Sequence, residues 1–222
     1  IGKEKGFQGV IDLVEMKAYT WGDDDDARGV SISDVPDGLR EEAEARREEM
    51  IESVAEFHDE MLEKFVEGEP VSIDEIKTAI RKGTIALGLT PVLAGSAFKD
   101  KGVQNLLDAV VDYLPSPIEV PPIEGIHPDT GEKIVRELIS SEAPGCMAFK
   151  TVSDPNGDLT FVRIYSGTIK QGEKYYNPRT SKDERIGRLV RMHANQRESI
   201  EEARAGDIVA VFGVDCASGD TF

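Results

Sequence analysis

The sequence predicts an α+β, multidomain chain, and three observations carry that reading. Apolar residues recur at helical spacing in the first half and at period two in the last third, with a proline-rich stretch between them. Thr90 to Pro117 reads as a strand, a small-residue turn and an amphipathic helix, which is half of an α/β unit. Charge divides in the same way: Asp37 to Glu69 holds thirteen acidic against four basic residues, net −9, whereas Pro144 to Phe222 holds eleven of each. The expected domains are residues 1–89, mainly helical; 90–117, the strand and helix; 118–143, a linker; and 144–222, an antiparallel barrel.

Gly6 to Asp12 and Glu15 to Trp21 are short runs rich in β-formers and are expected to pair. Asp23 to Asp26 has the charge of a calcium loop without its pattern. An EF-hand needs glycine at its sixth position and a bidentate acid at its twelfth, where Arg28 and Asp34 stand. It reads as a solvated loop.

Gly38 to Glu67 is expected to be one long helix. Ile51, Val54, Ala55, His58, Met61, Leu62 and Phe65 fall at helical spacing, and Glu52, Glu56, Asp59 and Glu63 repeat on another face. A solvated face is the ordinary reading of such charge. Like charges at i and i+4 repel, however, so the helix gains nothing from them intrinsically. His58 reads as a packed histidine with no chemical duty. Ser72 and Glu75 form a capping-box pattern that opens a second helix through Ile76, Ala79 and Ile80, closing near Gly88. Gly83 and Gly88 have the spacing of a phosphate-binding loop, but Leu89 and Thr90 follow where that loop needs lysine and then a hydroxyl. The match fails.

Thr90, Pro91, Val92, Leu93 and Ala94 are expected to form a buried strand, and Gly95-Ser96-Ala97 a turn. Val103, Leu106, Leu107, Val110, Val111 and Leu114 then lie on one face of one helix, which Pro115 and Pro117 stop. Such a strand needs parallel neighbours to cover its faces, and this sequence offers none. Two readings of the turn stand. Small residues there permit close packing of strand on helix, or they contact a ligand, as turns at the carboxyl ends of such strands do.

Beyond the linker, Met147 to Val152, Leu159 to Tyr165, Glu173 to Tyr176, Ile186 to Arg191 and Ile208 to Phe212 read as strands. Turn signals at Asn156-Gly157, Gly167, Gly172 and Gly206-Asp207 separate them, and the set suggests a closed barrel. Arg179, Lys182, Arg185, Arg188 and Arg191 cluster within thirteen residues. They suit either a solvent-facing strand or contact with phosphates.

Composition excludes several classes. A net charge of −17 argues against general affinity for nucleic acid, DNA included, or for an anionic membrane, and no apolar run approaches the length of a bilayer span. Nothing at the start resembles a signal peptide, so a cytoplasmic location is expected. Cys146 and Cys216 lack metal-ligand spacing, and no metal site is expected. His58, His127 and His193 show no pairing with a nucleophile, so no catalytic residue is assigned.

Several phrases carry a family resemblance. Gly95-Ser96-Ala97-Phe98-Lys99, Gly102-Val103-Gln104 and Asp112-Tyr113-Leu114-Pro115-Ser116-Pro117 resemble the last guanine-nucleotide motif and final helix of the GTPase domain of bacterial elongation factor G. Ile1-Gly2, Phe7-Gln8-Gly9-Val10-Ile11-Asp12-Leu13 and Met16-Lys17-Ala18-Tyr19 resemble the beginning of its insertion subdomain. Leu159 to Gly167, Arg191-Met192-His193-Ala194-Asn195, Ala205-Gly206-Asp207 and Gly219-Asp220-Thr221 resemble its second, barrel domain, and Val214 to Ser218 is more similar to the mitochondrial-type branch.

The resemblance implies an internal piece of a translational GTPase: insertion subdomain, end of the GTPase fold and most of a translation-factor barrel. It implies that Gly95, Ser96 and Ala97 lie against guanine. Glu52, Glu56 and Asp59 would meet a basic ribosomal stalk protein, and Arg179, Lys182, Arg185, Arg188 and Arg191 small-subunit ribosomal RNA. The parent would be a monomer that uses GTP and Mg²⁺ to drive translocation of tRNA and messenger. This chain, lacking the P-loop lysine, the switch regions and the Asn-Lys-x-Asp motif, would bind neither and be inactive alone. The alternative from a different class is a stand-alone, non-enzymatic acidic adaptor with an RNA- or protein-binding barrel.

Overall fold

Asp12 accepts hydrogen bonds from the amides of Val14 (2.7 Å) and Glu15 (3.0 Å), and this turn joins β1 (Gly9–Asp12) to β2 (Lys17–Trp21). The two strands pair antiparallel, and β3 (Val30–Asp34) adds to β2. All of β3 is exposed, so it lacks the half-buried alternation by which strands are recognised. The computed structural model describes residues 1–22, 29–153, 157–194 and 196–222. The acidic run at Asp23 to Asp26, the turn residue Asn156 and the motif residue Asn195 lie outside the described residues. The chain divides into two units, Ile1–Pro115 and Ser116–Phe222.

In the first unit the expected long helix is two helices, α1 (Asp37–Ala55) and α2 (Asp59–Glu67). The break has a physical cause. Phe57 packs where Gly83 and Gly88 leave room, with its ring atoms 2.8 and 2.6 Å from where their Cβ atoms would stand. His58 then caps α2, its Nδ1 accepting from the Met61 amide at 3.3 Å. It therefore has a structural duty that the periodicity did not suggest.

The capping box on α3 (Ile73–Ile85) is complete, with Ser72 and Glu75 bonded in both directions. The Lys64 ammonium at 2.5 Å and the Ser72 groups bring the Glu75 carboxyl down to about 2. A core of Val54, Ala55, Met61, Ile76, Ala79 and Ile80 is completed by Ala109 and Tyr113 of α4 (Val103–Tyr113). Arg81 donates to the carbonyls of Asp112 (2.9 Å) and Leu114 (3.0 Å), a cation at the negative end of α4.

Two expectations fail here. Residues 90–94 form no strand, and Val92 is 91% exposed. On α4, Leu106, Leu107, Val110 and Val111 are exposed, as is Leu114 at its C-cap, because α3 takes the side of the helix that carries Ala109 and Tyr113. The three described strands of this unit pair only with one another, and residues 90–94 join none of them.

In the second unit, the stretch expected to be a linker contains a hairpin, β4 (Ile123–Ile126) with β5 (Lys133–Arg136). It is tied onward where Gly167 donates to Ile139 and the Ser166 hydroxyl to Ala143, each at 2.9 Å. A five-stranded antiparallel sheet follows, built from β6 (Gly145–Val152), β7 (Leu159–Ser166), β11 (Arg188–His193), β12 (Gln196–Ile200) and β14 (Ile208–Phe212). Its order is β12-β11-β14-β7-β6. Two pairs accompany it: β8 (Thr168–Lys170) with β13 (Glu202–Arg204), and β9 (Lys174–Asn177) with β10 (Lys182–Arg185).

One face of the large sheet and the β8–β13 pair share a buried cluster that includes Ala148, Val162, Ile164, Ile169, Leu189, Ala203, Val209 and Val211. Cys146 lies in this cluster, and burial pushes its thiol up to about 12. Cys146 also exchanges two 2.9 Å backbone bonds with Phe222, which fastens the last residues to β6.

Candidate nucleic-acid interface

Side chains alternate across a strand, so the residues that do not point into the inner cluster form a second face of the five-stranded sheet. The register assigns them. Ala210 opposes Val190 on β11 and Phe161 on β7; Phe212 opposes Arg188 and Leu159; Arg163 opposes Ile208 and Met147; Lys150 opposes Phe161; Arg197 opposes Met192. Leu159, Val190, Ala210 and Phe212 are buried here as a thin apolar layer, with Phe161 and Met192 packed against it.

Cations roof this layer. Arg188 lies over the Phe212 ring at 4.7 Å and Arg197 over the same ring at 5.5 Å; Arg163 lies over Tyr165 at 5.3 Å and Lys150 over Phe161 at 5.9 Å. Phe149 tilts against Phe161 with its ring centre 6.3 Å away and is 40% exposed, and Ile208 is 52% exposed. Neither aspartate nor glutamate takes part in this second face at the paired positions. Arg163 and Tyr165 continue into an open groove of about 550 Å³ lined also by Pro121, Pro122 and Leu138. The Arg163 Nε is buried there and has no hydrogen-bond acceptor among the described residues.

Of the five basic residues expected to meet RNA, Arg188 alone belongs to this face. Arg179 is held by Asp220, with Nη2 to Oδ2 at 2.8 Å and a second bond from Nε to Oδ1. Lys182 and Arg185 are on β10 of the separate pair, where Arg185 donates to the Gly172 carbonyl at 3.0 Å. Arg191 is on the other parity of β11, 4.0 Å from Glu198. Lys150, Arg163 and Arg197 were missed. The usable signal was Phe161-x-Arg163-x-Tyr165, which alternates at the period of a strand.

The Gly95-Ser96-Ala97 turn closes on itself. Ser96 donates to the Lys101 carbonyl at 2.8 Å and accepts from the Lys101 amide at 3.1 Å. A Cβ on Gly95 would stand 2.8 Å from that carbonyl, so glycine is required by packing within the loop. Ala97 opens a 3₁₀ turn through Lys99, and its own amide has no acceptor among the described residues. Lys101 is buried and donates to the Phe7 carbonyl at 3.4 Å.

Glu52, Glu56 and Asp59 are all exposed, but the helix break puts Glu52 on α1, Glu56 at its end and Asp59 at the start of α2. They do not share one helix face. Among the described residues, no group of three His, Cys, Asp or Glu side chains is arranged to hold a metal, and no helix is long and apolar enough to cross a membrane.

The whole chain matches a crystal structure of a protein from Thermus thermophilus, with a TM-score of 0.70 and 24% identity. That likeness is one of fold, and it spans all of this chain but 30% of the other. Residues 157–222 match the family model described as elongation factor Tu domain 2. Over those residues, which include four of the five strands of the large sheet, the chain is similar to the second domain of a translation factor of the GTPase type.

Proposed function

We propose that this chain is a ribosome-docking portion of an elongation factor G-like translational GTPase, one that serves translocation of tRNA and messenger. The observation that carries the reading is a coincidence of place. The region similar to a translation-factor second domain is also the region that presents a cationic sheet face, with no aspartate or glutamate at its paired, described strand positions. In this reading that face and the exposed Lys182 and Arg191 meet ribosomal RNA. Arg179 and Arg185 contribute less, since each has an acceptor of its own.

Glu52, Glu56 and Asp59 offer a basic stalk protein a patch spread over the α1–α2 corner. Exposed charges are screened over about 8 Å at physiological salt, so that contact is weak and transient. The exposed apolar side of α4 is expected to be covered by the sheet of an α/β domain of the same monomeric protein.

GTP and Mg²⁺ belong to the proposed whole protein. The described residues of this chain do not fit a triphosphate: Gly83, half of the glycine pair at P-loop spacing, is packed in α3 against Leu89 and Phe57. What this chain offers a nucleotide is the Ala97 amide beside a closed loop.

Co-sedimentation of the chain with purified ribosomes at low and at high salt tests the proposal. Saturable pelleting that falls as salt rises is expected. No pelleting at low salt would sink it.

A further inference from the structure

We infer that the groove beside Arg163 and Tyr165 is a binding site for an extended segment of a partner protein, one that carries an acidic side chain flanked by apolar ones. The inference goes beyond the proposed function and stands on the second unit alone. The groove begins where the β4–β5 ladder stops. Ile123 pairs with Arg136, so continued pairing would set Pro122 opposite Glu137 and Pro121 opposite Leu138. Prolines have no amide hydrogen to give, and the ladder ends at them. A space of about 550 Å³ follows, lined by Pro121, Pro122, Arg136 and Leu138 and, from β7, by Arg163 and Tyr165.

The groups left unbonded along this groove describe its ligand. Leu138 is half-buried, yet neither its amide nor its carbonyl has a partner among the described residues. Backbone groups removed from water are ordinarily paired. Arg136 is also half-buried and has no acceptor among the described residues, whereas Glu124 on the same lining is held by Lys133 at 2.7 Å. A main-chain donor, a main-chain acceptor and a cation thus stand among walls that are otherwise largely apolar. An extended chain answers all three. One residue of it pairs with Leu138 in strand fashion, a carboxylate reaches Arg136, and the alternate side chains fall on the same side, toward the prolines and Tyr165.

Other ligands fit less well. RNA would bring phosphates to a lining that includes Glu124 and Glu137, and proline and aliphatic walls give a base little to stack on. An inorganic anion would reach Arg136 but leave the Leu138 groups bare. A basic segment would meet both Arg136 and Arg163.

Titration of the isotope-labelled 222-residue chain, followed by amide NMR shifts, tests the site. The first probe is the capped peptide Gly-Leu-Ser-Asp-Ser-Leu-Gly, whose leucines and aspartate share one side of an extended chain. The second has lysine in place of aspartate, and the third is an unstructured RNA of about twelve nucleotides. The acidic peptide is expected to move the amides within 117–124 and 136–139, Leu138 most of all, and to bind about tenfold more tightly than the lysine peptide. Arg136→Gln removes a charge that has no partner to lose among the described residues, and is expected to bring the two peptides level. Unmoved amides elsewhere report that the variant is folded.

No shift with the acidic peptide at about 1 mM, or shifts centred outside the groove, overturns the site and leaves the proposed function standing. So does equal binding of the two peptides by the parent, or a preference that survives Arg136→Gln. RNA that moves the same amides and displaces the peptide overturns the site in favour of a nucleic acid.

Discussion

The guanidinium carbon of Arg188 on β11 lies 4.7 Å from the ring centre of Phe212 on β14, and Arg197 reaches that ring from β12 at 5.5 Å. Three strands are thus tied by one ring on the outer side of the sheet. That ring belongs to the same buried layer as Val190 and Ala210, so both arginines cover the edge of the layer at Phe212. Arg188→Ala is expected to cost about 1 kcal/mol, from the lost cation–ring attraction and the uncovered layer. Arg188→Lys should recover part of that. Arg191→Ala, on the other parity of the same strand, should stay within about 0.5 kcal/mol of the parent. Urea denaturation of the three variants checks the order.

Asp220 is the hub of the chain's last turn. Its carboxylate accepts from Arg179, from the Asn177 side-chain amide at 2.9 Å and from the Ala217 amide at 3.0 Å. Arg179 first, then these amides, hold it well below the usual carboxylate range. A folded pKa below the unfolded one contributes stability at neutral pH that is lost as pH falls from about 4 toward the folded value. Asp220→Ala is expected to lower stability by about 2 kcal/mol at pH 7, through the donors left bare. The gap between parent and variant should shrink below about pH 4. A gap independent of pH would contradict this account of the hub.

Gly83→Ala sets two effects against each other. Alanine in a helix is favoured by about 1 kcal/mol over glycine. Its Cβ, however, would stand 2.5 Å from Leu89 Cδ2 and 2.8 Å from Phe57 Cδ2, and overpacking of that kind costs about 1–3 kcal/mol. Net destabilisation is expected. Phe57→Leu made on top of Gly83→Ala should recover part of it, because the second change frees the space the first one fills. Thermal unfolding of the single and double variants decides the sign.

How much of this was legible depends on whether the deciding partners are near in sequence. The capping box at Ser72 and Glu75 is local, and both of its bonds are in place. β7 and β14 announce themselves by strong apolar runs. The break at Phe57 and His58 is not local: its cause sits at Gly83 on α3 and at Gly88 just beyond it, so periodicity ran through it. β10 and β13 are mostly charged and carry no apolar period, and sheet pairing alone makes them strands.

The outer face was hidden for a related reason. Density of arginine along the chain drew attention to Arg179 through Arg191, whereas the face is assembled by register from β6, β7, β11, β12 and β14. The failed strand at 90–94 has the opposite cause. Its apolar pattern is real, but a strand is made by its neighbours, and the described residues provide none.

The central claim is that this chain docks without holding a nucleotide, and calorimetric titration of GDP into the 222-residue chain tests it most directly. A base contact of one or two hydrogen bonds is worth about 0.5–1.5 kcal/mol each, roughly tenfold to a hundredfold in affinity at most, and there is no phosphate cradle among the described residues to add to it. No heat beyond dilution is expected, under conditions where the chain still pellets with ribosomes. Tight, guanine-specific binding by the chain itself would contradict the claim, because a phosphate site would then exist among residues to which only packing roles are assigned.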